Sequence, residues 1–253
     1  MEFVYPPIEA IAKGAVKVMG YDVRVTGQEN IPASGPAIIA SNHIGYLDFV
    51  FTGLATNKRK RRARFLAKRE IWNNKVAKVL MDGMRHIPVD RDKDPKKAYA
   101  EAIAALTRGE IIGMFPESTI SPSFVPRAGK TGSARLAQSV GAPLIPAAVW
   151  GTQRILTKGR PKNLQRGLAI VVHVGEAIQT DLDDDPRALT DELMSSIGHL
   201  LKQAQDSYPQ KPAGDNDRWW LPAHLGGTAP TPEEVEAKLR GPGRKGDPND
   251  PVA

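Results

Sequence analysis

The feature that most limits how this chain folds is a series of short apolar runs, each closed by Gly, Pro or a polar turn and followed by residues at helical spacing. The runs are Pro36-Ala37-Ile38-Ile39-Ala40, Phe65-Leu66-Ala67, Ile111-Ile112-Gly113-Met114-Phe115, Leu144-Ile145-Pro146-Ala147-Ala148-Val149 and residues 168–174. Runs this short and this rich in Ile and Val suit strands covered on both faces. Residues 21–26 instead alternate, Val23 and Val25 against Asp22 and Arg24, as a strand with one wet face does. Strands alternating with helices through residue 207 predict an α/β domain whose mainly parallel central sheet is flanked by helices.

Residues 7–20 are the first predicted helix, opened by Pro7 and closed by Gly20. Ile8, Ile11, Ala12, Ala15, Val16 and Met19 fall on one stripe, with Lys13 and Lys17 off it, which makes the helix amphipathic. Further helices are expected after Asp48, from Glu70, over 94–108, over 133–139 and over 186–207, while 81–91, carrying Gly83 and Pro88, reads as strand and loop. Beyond Pro209 the chain is rich in Pro and Gly and reads as an irregular C-terminal extension, in which Trp219-Trp220-Leu221 docks on the body or on lipid. The expected organisation is an N-terminal amphipathic helix (1–20), one domain (21–207) and the extension (208–253).

Composition narrows the chemistry. The 253 residues include no cysteine, which excludes thiol nucleophiles, disulfides and Cys-based metal sites. No apolar run is long enough to cross a bilayer, and the first residues lack the pattern of a secretory leader, so a cytoplasmic protein is expected, touching membrane only from the side. The net charge of +7 favours anionic partners. Much of it lies in residues 58–69, a run of Lys and Arg that reads as a solvated face, or as a contact for a nucleic-acid backbone, an anionic lipid surface or a phosphorylated cofactor. Aromatic residues are sparse there and no nucleic-acid motif accompanies the run, so nucleic acid is not expected.

Gly-x-Ser-x-Gly, His-Glu-x-x-His and Gly-x-Gly-x-x-Gly are absent, and Gly129-Lys130-Thr131 fails as a phosphate loop because Phe124 stands where its first glycine belongs. Four strand ends carry polar residues instead: Asn42, His43 and Asp48; Lys68; Asp90 and Arg91; Glu117, Ser118 and Thr119. Sites in open α/β sheets collect at carboxyl ends of strands. His43 takes a proton near neutral pH, and Asp48 can hold its second ring nitrogen if the segment between them bends, which Gly45 eases. On its own the pair also reads as a structural histidine with a helix-capping aspartate. A base, a carboxylate behind it and cations at Lys68 and Arg91 together fit transfer to a hydroxyl of a phosphorylated acceptor.

These residues resemble a known family. Asn42-His43-x4-Asp48 is similar to the Asn-His-x4-Asp signature of glycerophospholipid acyltransferases of the 1-acylglycerol-3-phosphate type. Phe115-Pro116-Glu117-Ser118-Thr119 resembles that family's Phe-Pro-Glu-Gly-Thr-Arg block, Val89-Asp90-Arg91 the tail of its second block, and Leu144-Ile145-Pro146 its fourth; Phe65-Leu66-Ala67-Lys68 matches a further common segment. Order and spacing agree over residues 35–150. The resemblance implies a peripheral enzyme on the cytoplasmic side of the cell membrane, moving a fatty acyl group from acyl-CoA to lysophosphatidic acid. It implies His43 and Asp48 as catalytic residues and Asn42, Lys68, Arg91, Glu117, Ser118 and Thr119 at the substrates. No metal and no cofactor are expected, acyl-CoA being a co-substrate; the partners are acyl-CoA, a lysophospholipid and an anionic membrane surface touched by residues 58–69 and the first helix. Two departures stand out: Ser118 replaces Gly, and Ile120 replaces the arginine. Ile120 cannot hold a phosphate, so Arg85, Arg127 or Lys130 substitutes, or the acceptor is glycerol 3-phosphate or another lysolipid. A non-catalytic basic membrane- or nucleic-acid-binding protein is the alternative of another class.

Overall fold

The computed structural model describes residues 5–90 and 95–239, so Arg91 lies outside the described residues. The strands are β1 (Asp22–Thr26), β2 (Ala37–Ser41), β3 (Ala63–Lys68), β4 (Ile87–Val89), β5 (Ile111–Met114), β6 (Leu144–Trp150) and β7 (Ala169–Val174). They form one sheet in the order β1-β7-β6-β2-β5-β3-β4. β2 through β6 all run one way; β7 is antiparallel to β6 and carries β1 parallel to itself. The central sheet is therefore mainly parallel.

The apolar runs are buried on both faces. Along β2, Ala37 and Ile39 enter one core with Phe51, Phe65, Ile145 and Val172, while Ile38 and Ala40 enter another with Ala102, Leu106, Ile112 and Leu193. Successive side chains point to opposite sides, so a strand sandwiched between helices must be apolar throughout. β1, at the edge, keeps the alternation its sequence predicts.

The helices are α1 (Tyr5–Met19), α2 (Asp48–Thr56), α3 (Lys75–Gly83), α4 (Pro95–Thr107), α5 (Gly132–Gln138), α6 (Pro186–Asp206) and α7 (Pro232–Leu239). α6 starts where its sequence says: Asp185 accepts the amides of Arg187 and Ala188, with Pro186 at the first turn. Its Leu189, Leu193, Ile197 and Leu201 are buried.

Two expectations change. Residues 81–83 are helical, because Met81 packs with Met84 and Tyr5 and completes α3 before the chain turns into β4. Pro88 sits in β4, an edge strand, where a missing amide is tolerated. The basic run 58–69 is not a uniform cationic face. Arg59 donates to the carbonyls of Gln28 and Glu29, and Arg61 to those of Pro32, Gly35 and Gly109. Arg64 is buried, bonded to Glu110 and to the Met84 carbonyl. These guanidinium groups satisfy loop carbonyls, a use that spacing does not reveal. Lys58, Lys60, Lys68 and Arg69 remain exposed.

The extension, described through residue 239, is irregular backbone broken by two short 3-10 turns and closed by α7. Trp220 docks on the body: it is buried beside Trp150, with the Arg154 guanidinium 4.3 Å from its ring centre.

His86 packs among Tyr5, Phe49 and Phe65, and its Nδ1 accepts the Phe65 amide at 3.0 Å. Burial, with the Arg64 charge nearby, pushes its pKa down to about 4. The folded state holds the ring neutral, so its contribution is complete above pH 6.5 and is lost as pH falls toward 4. In denaturant melts between pH 7 and 4.5, the stability of wild type relative to His86→Asn should fall by about 1 kcal/mol per pH unit below 6.5. A difference that does not change with pH would mean that His86 makes no such contribution.

Candidate active site

β2 lies between β5 and β6, and the turns leaving these three neighbours converge. His43 follows β2, Glu117 follows β5 and Thr152 follows β6. The His43 Nδ1 is 2.9 Å from Asp48 Oδ2, so the bend that the pair needs is present. That leaves Nε2 as the open nitrogen on a partly exposed ring. Phe115 stacks on the imidazole, 4.1 Å between centres and 14° from parallel.

Asp48 is fully buried at the start of α2, where the helix dipole favours a negative charge. Its Oδ2 also accepts the amides of Ile44 and Gly45, at 2.7 and 2.9 Å. Its Oδ1 accepts the Thr152 hydroxyl at 2.5 Å. Gly45 is needed for closeness rather than for bending: a Cβ there would sit 3.1–3.2 Å from backbone atoms of Thr152, Gln153 and Leu156, and its φ is not left-handed.

Glu117 is buried and fastens two main-chain amides, His43 to Oε1 at 2.9 Å and Arg127 to Oε2 at 3.0 Å. Ser121 N in turn donates to the His43 carbonyl at 2.8 Å, so the turn after β5 holds the histidine backbone from both sides. Burial pushes the Glu117 carboxyl up to about 8; the amides of Arg127 and His43 oppose this, and the Asp48 charge adds to it.

Of the other residues singled out in the sequence, Asn42 does not face the crevice. It is fully buried, and its amide exchanges two hydrogen bonds with the Val149 main chain, 2.8 and 3.0 Å, as an extra rung between β2 and β6. Arg85 is also misplaced by the sequence reading: it pairs with Glu110, just before β5, at the opposite end of the sheet. Lys68 lies exposed at the carboxyl end of β3. Ser118 and Thr119 form the turn beside His43, Ser118 with φ of 60°, which explains a glycine at this place in the family motif. Ile120 is buried. Lys130 is anchored through its amide to the Pro116 carbonyl, and Arg127 pairs with Glu236 of α7 at 2.8 Å, so both lie on the loop after Glu117.

Thr152 was not legible in advance. It acts on Asp48 from 104 residues away, and a Gly-Thr pair after a strand is an unremarkable turn.

With this geometry in place, the comparisons are specific. Residues 22–150 match the acyltransferase family model, and the chain belongs to that family. Its relatives include the 1-acyl-sn-glycerol-3-phosphate acyltransferase of Bacillus subtilis (strain 168), 32% identical over 143 residues that make up 55% of this chain and 70% of that one. The enzyme of the same name from Borreliella burgdorferi is 30% identical over 172 residues, 66% of each chain. Both names denote O-acyltransferases, the enzyme class of this chain. The crystal structure of the 1-acyl-sn-glycerophosphate (LPA) acyltransferase PlsC from Thermotoga maritima superposes with a TM-score of 0.67, covering 81% of each chain at 22% identity, a likeness of fold.

A carboxyl held above its ordinary range binds its proton more tightly when folded, so this contribution to stability is present below pH 4.5 and lost as pH rises toward 8. Stability should therefore decline between about pH 5 and 8 by on the order of 1 kcal/mol per unit from Glu117 alone. Chemical denaturation of Glu117→Gln across that range should show the decline removed; a parallel curve would refute the assignment.

Proposed function

We propose that this protein transfers a fatty acyl group from acyl-CoA to the free hydroxyl of lysophosphatidic acid, giving phosphatidic acid and free CoA. The observation that carries the reading is the His43–Asp48 contact of 2.9 Å at the convergence of three strand ends, in a chain whose relatives bear the name of that reaction. Nε2 of His43 accepts the hydroxyl proton while the oxygen attacks the thioester carbonyl. The C–S bond then breaks, and the sulfur leaves with the proton returned by the imidazolium. No acyl-enzyme is needed. Asp48 fixes the ring and stabilises its cationic form; Thr152 holds Asp48. Lys130, Lys68 and Arg91 bind the acceptor phosphate, with Ser118 and Thr119 lining the acceptor side.

The burial of Ile120 where the family motif has arginine supports a second acceptor reading, glycerol 3-phosphate or another lysolipid, with the same chemistry. A basic binding protein without chemistry is disfavoured, because the arginines that suggested it serve internal carbonyls. Among the described residues no helix is long and apolar enough to cross a membrane. The reading places the enzyme peripherally, on the cytoplasmic side of the membrane.

Thiol release should be measured with acyl-CoA and acyl carrier protein donors of several chain lengths against lysophosphatidate, glycerol 3-phosphate and other lysolipids. His43→Ala and Asp48→Asn should each lower kcat at least roughly 100-fold. Turnover within tenfold of wild type in His43→Ala rules out the histidine as base. Thr152→Val, which keeps shape and deletes the donor, should lower kcat about tenfold with KM nearly unchanged, and Thr152→Ser should restore it. An equal loss in both variants, or a loss confined to KM, would remove the positioning role.

A further inference from the structure

We propose that the 3-10 turn Arg69–Asn73 and helix α3 form the surface that docks this protein onto an anionic lipid bilayer. α3 is apolar on two faces. Met81, at the base of one, packs with Met84, Tyr5, Ile8 and Trp72. The other is open: Val76 is 70% exposed, Val79 65%, Leu80 39%, and Ile71 in the preceding turn 42%. Positions 76, 79 and 80 follow i, i+3, i+4 spacing and make one stripe. Four large aliphatic side chains gathered in ten residues of surface differ from the isolated apolar residues that any protein exposes.

Charge selects the occupant. Exposed Lys68, Arg69, Lys75 and Lys78 share the segment with the stripe, against Glu70 and Asp82, and Asp82 is bonded to Lys78 and to the Trp72 indole. Aliphatic residues interspersed with lysines match the headgroup–acyl boundary of an anionic leaflet, where lysine stems lie along the apolar surface and their ammonium groups reach phosphates.

Position agrees with this. The segment leaves the carboxyl end of β3, the end of the sheet at which His43 and Glu117 emerge. From β3 a line of stacked rings leads inward: Phe65 lies 5.8 Å from Phe115, and Phe115 lies 4.1 Å from His43. An acceptor held in a leaflet under α3 thus lies at the end of the sheet from which the base emerges. This use of the face rests on the lipid-acyltransferase reading, and it replaces the run 58–64, whose arginines are engaged elsewhere, as the principal membrane contact.

The test uses the full chain and needs no turnover for its first reading. Flotation is run on vesicles of phosphatidylcholine alone and of phosphatidylcholine with phosphatidylglycerol, for wild type, for Val76→Asn/Val79→Asn/Leu80→Gln, and for Lys58→Gln/Lys60→Gln and Ile11→Asn/Val18→Asn. All substituted positions are exposed, so melting temperatures should agree. Wild type should prefer the anionic vesicles. The α3 variant should lose at least roughly tenfold in partition coefficient, the two comparison variants less. Its activity should fall on vesicle-borne lysophosphatidate and stay within about twofold on a soluble short-chain acceptor. An α3 variant that floats like wild type, a wild type that ignores vesicles, or a dimer in light scattering that this variant alone dissolves, overturns the proposal. Loss of flotation in the α3 variant of a protein inactive on every acceptor keeps the docking surface and overturns the acyltransferase reading instead.

Discussion

The rest of the site depends on the burial of one carboxylate. Asp48 has no exposed surface, and a charge in that position is tolerated only when hydrogen-bond donors replace its lost water. Four donors do so: the imidazole, two turn amides and the Thr152 hydroxyl. Three belong to the turn after β2 and one to the turn after β6. Satisfying the charge therefore draws two strand exits together, close enough that a Cβ at position 45 would crowd backbone atoms at 3.1–3.2 Å. The orientation of His43 is a by-product of solving this burial problem.

A second carboxylate, Glu117, closes the site from the β5 side. Because β2 has β5 and β6 as its neighbours, His43 is gripped on both flanks, by Thr152 through Asp48 and by Glu117 through the backbone. The C-terminal extension stiffens both grips. Glu236 pairs with Arg127, whose amide binds Glu117, while the Trp220 carbonyl accepts from Gln153, next to Thr152. Residues that looked like a tail by composition thus buttress the two turns that set the histidine. That the Trp pair docks was legible from its apolar character, but the turns it supports were not, because Pro and Gly content reports what backbone is allowed and says nothing of which surface a Glu will meet.

What could be read in the sequence was what local spacing encodes. Buried strands declare themselves by unbroken apolar runs, α6 by its Asp-Pro start and leucine stripe, and the His43–Asp48 contact by lying within a single turn. What failed depends on partners distant in sequence. Asn42 sits next to the histidine yet belongs to the β2–β6 junction, since its partner is Val149. Arg85 was a candidate to replace the cation missing at position 120, but it stays just before β4, paired with Glu110. The arginines at 59, 61 and 64 read as surface charge, although a guanidinium carries five donors and serves several carbonyls as readily as it serves phosphate.

Position 120 shows how far the departures from the family motif alter the chemistry. Ser118 enters the left-handed region, and two residues later Ile120 is turned into the protein, as an apolar side chain should be. Its aliphatic surface serves packing there, so the change from arginine removes a cation and leaves the turn intact: Ser121 still reaches the His43 carbonyl and Glu117 still reaches the His43 amide. The backbone hold on His43 is thus insulated from the substitution. On the acyltransferase reading the missing charge comes from the loop that Glu117 and Pro116 already anchor. There Lys130, with its backbone fixed to the Pro116 carbonyl, offers an ammonium on a long stem instead of a planar fork. A point charge tolerates more phosphate orientations than a bidentate guanidinium, so that reading implies weaker discrimination among phosphorylated acceptors with the His43–Asp48 contact unchanged.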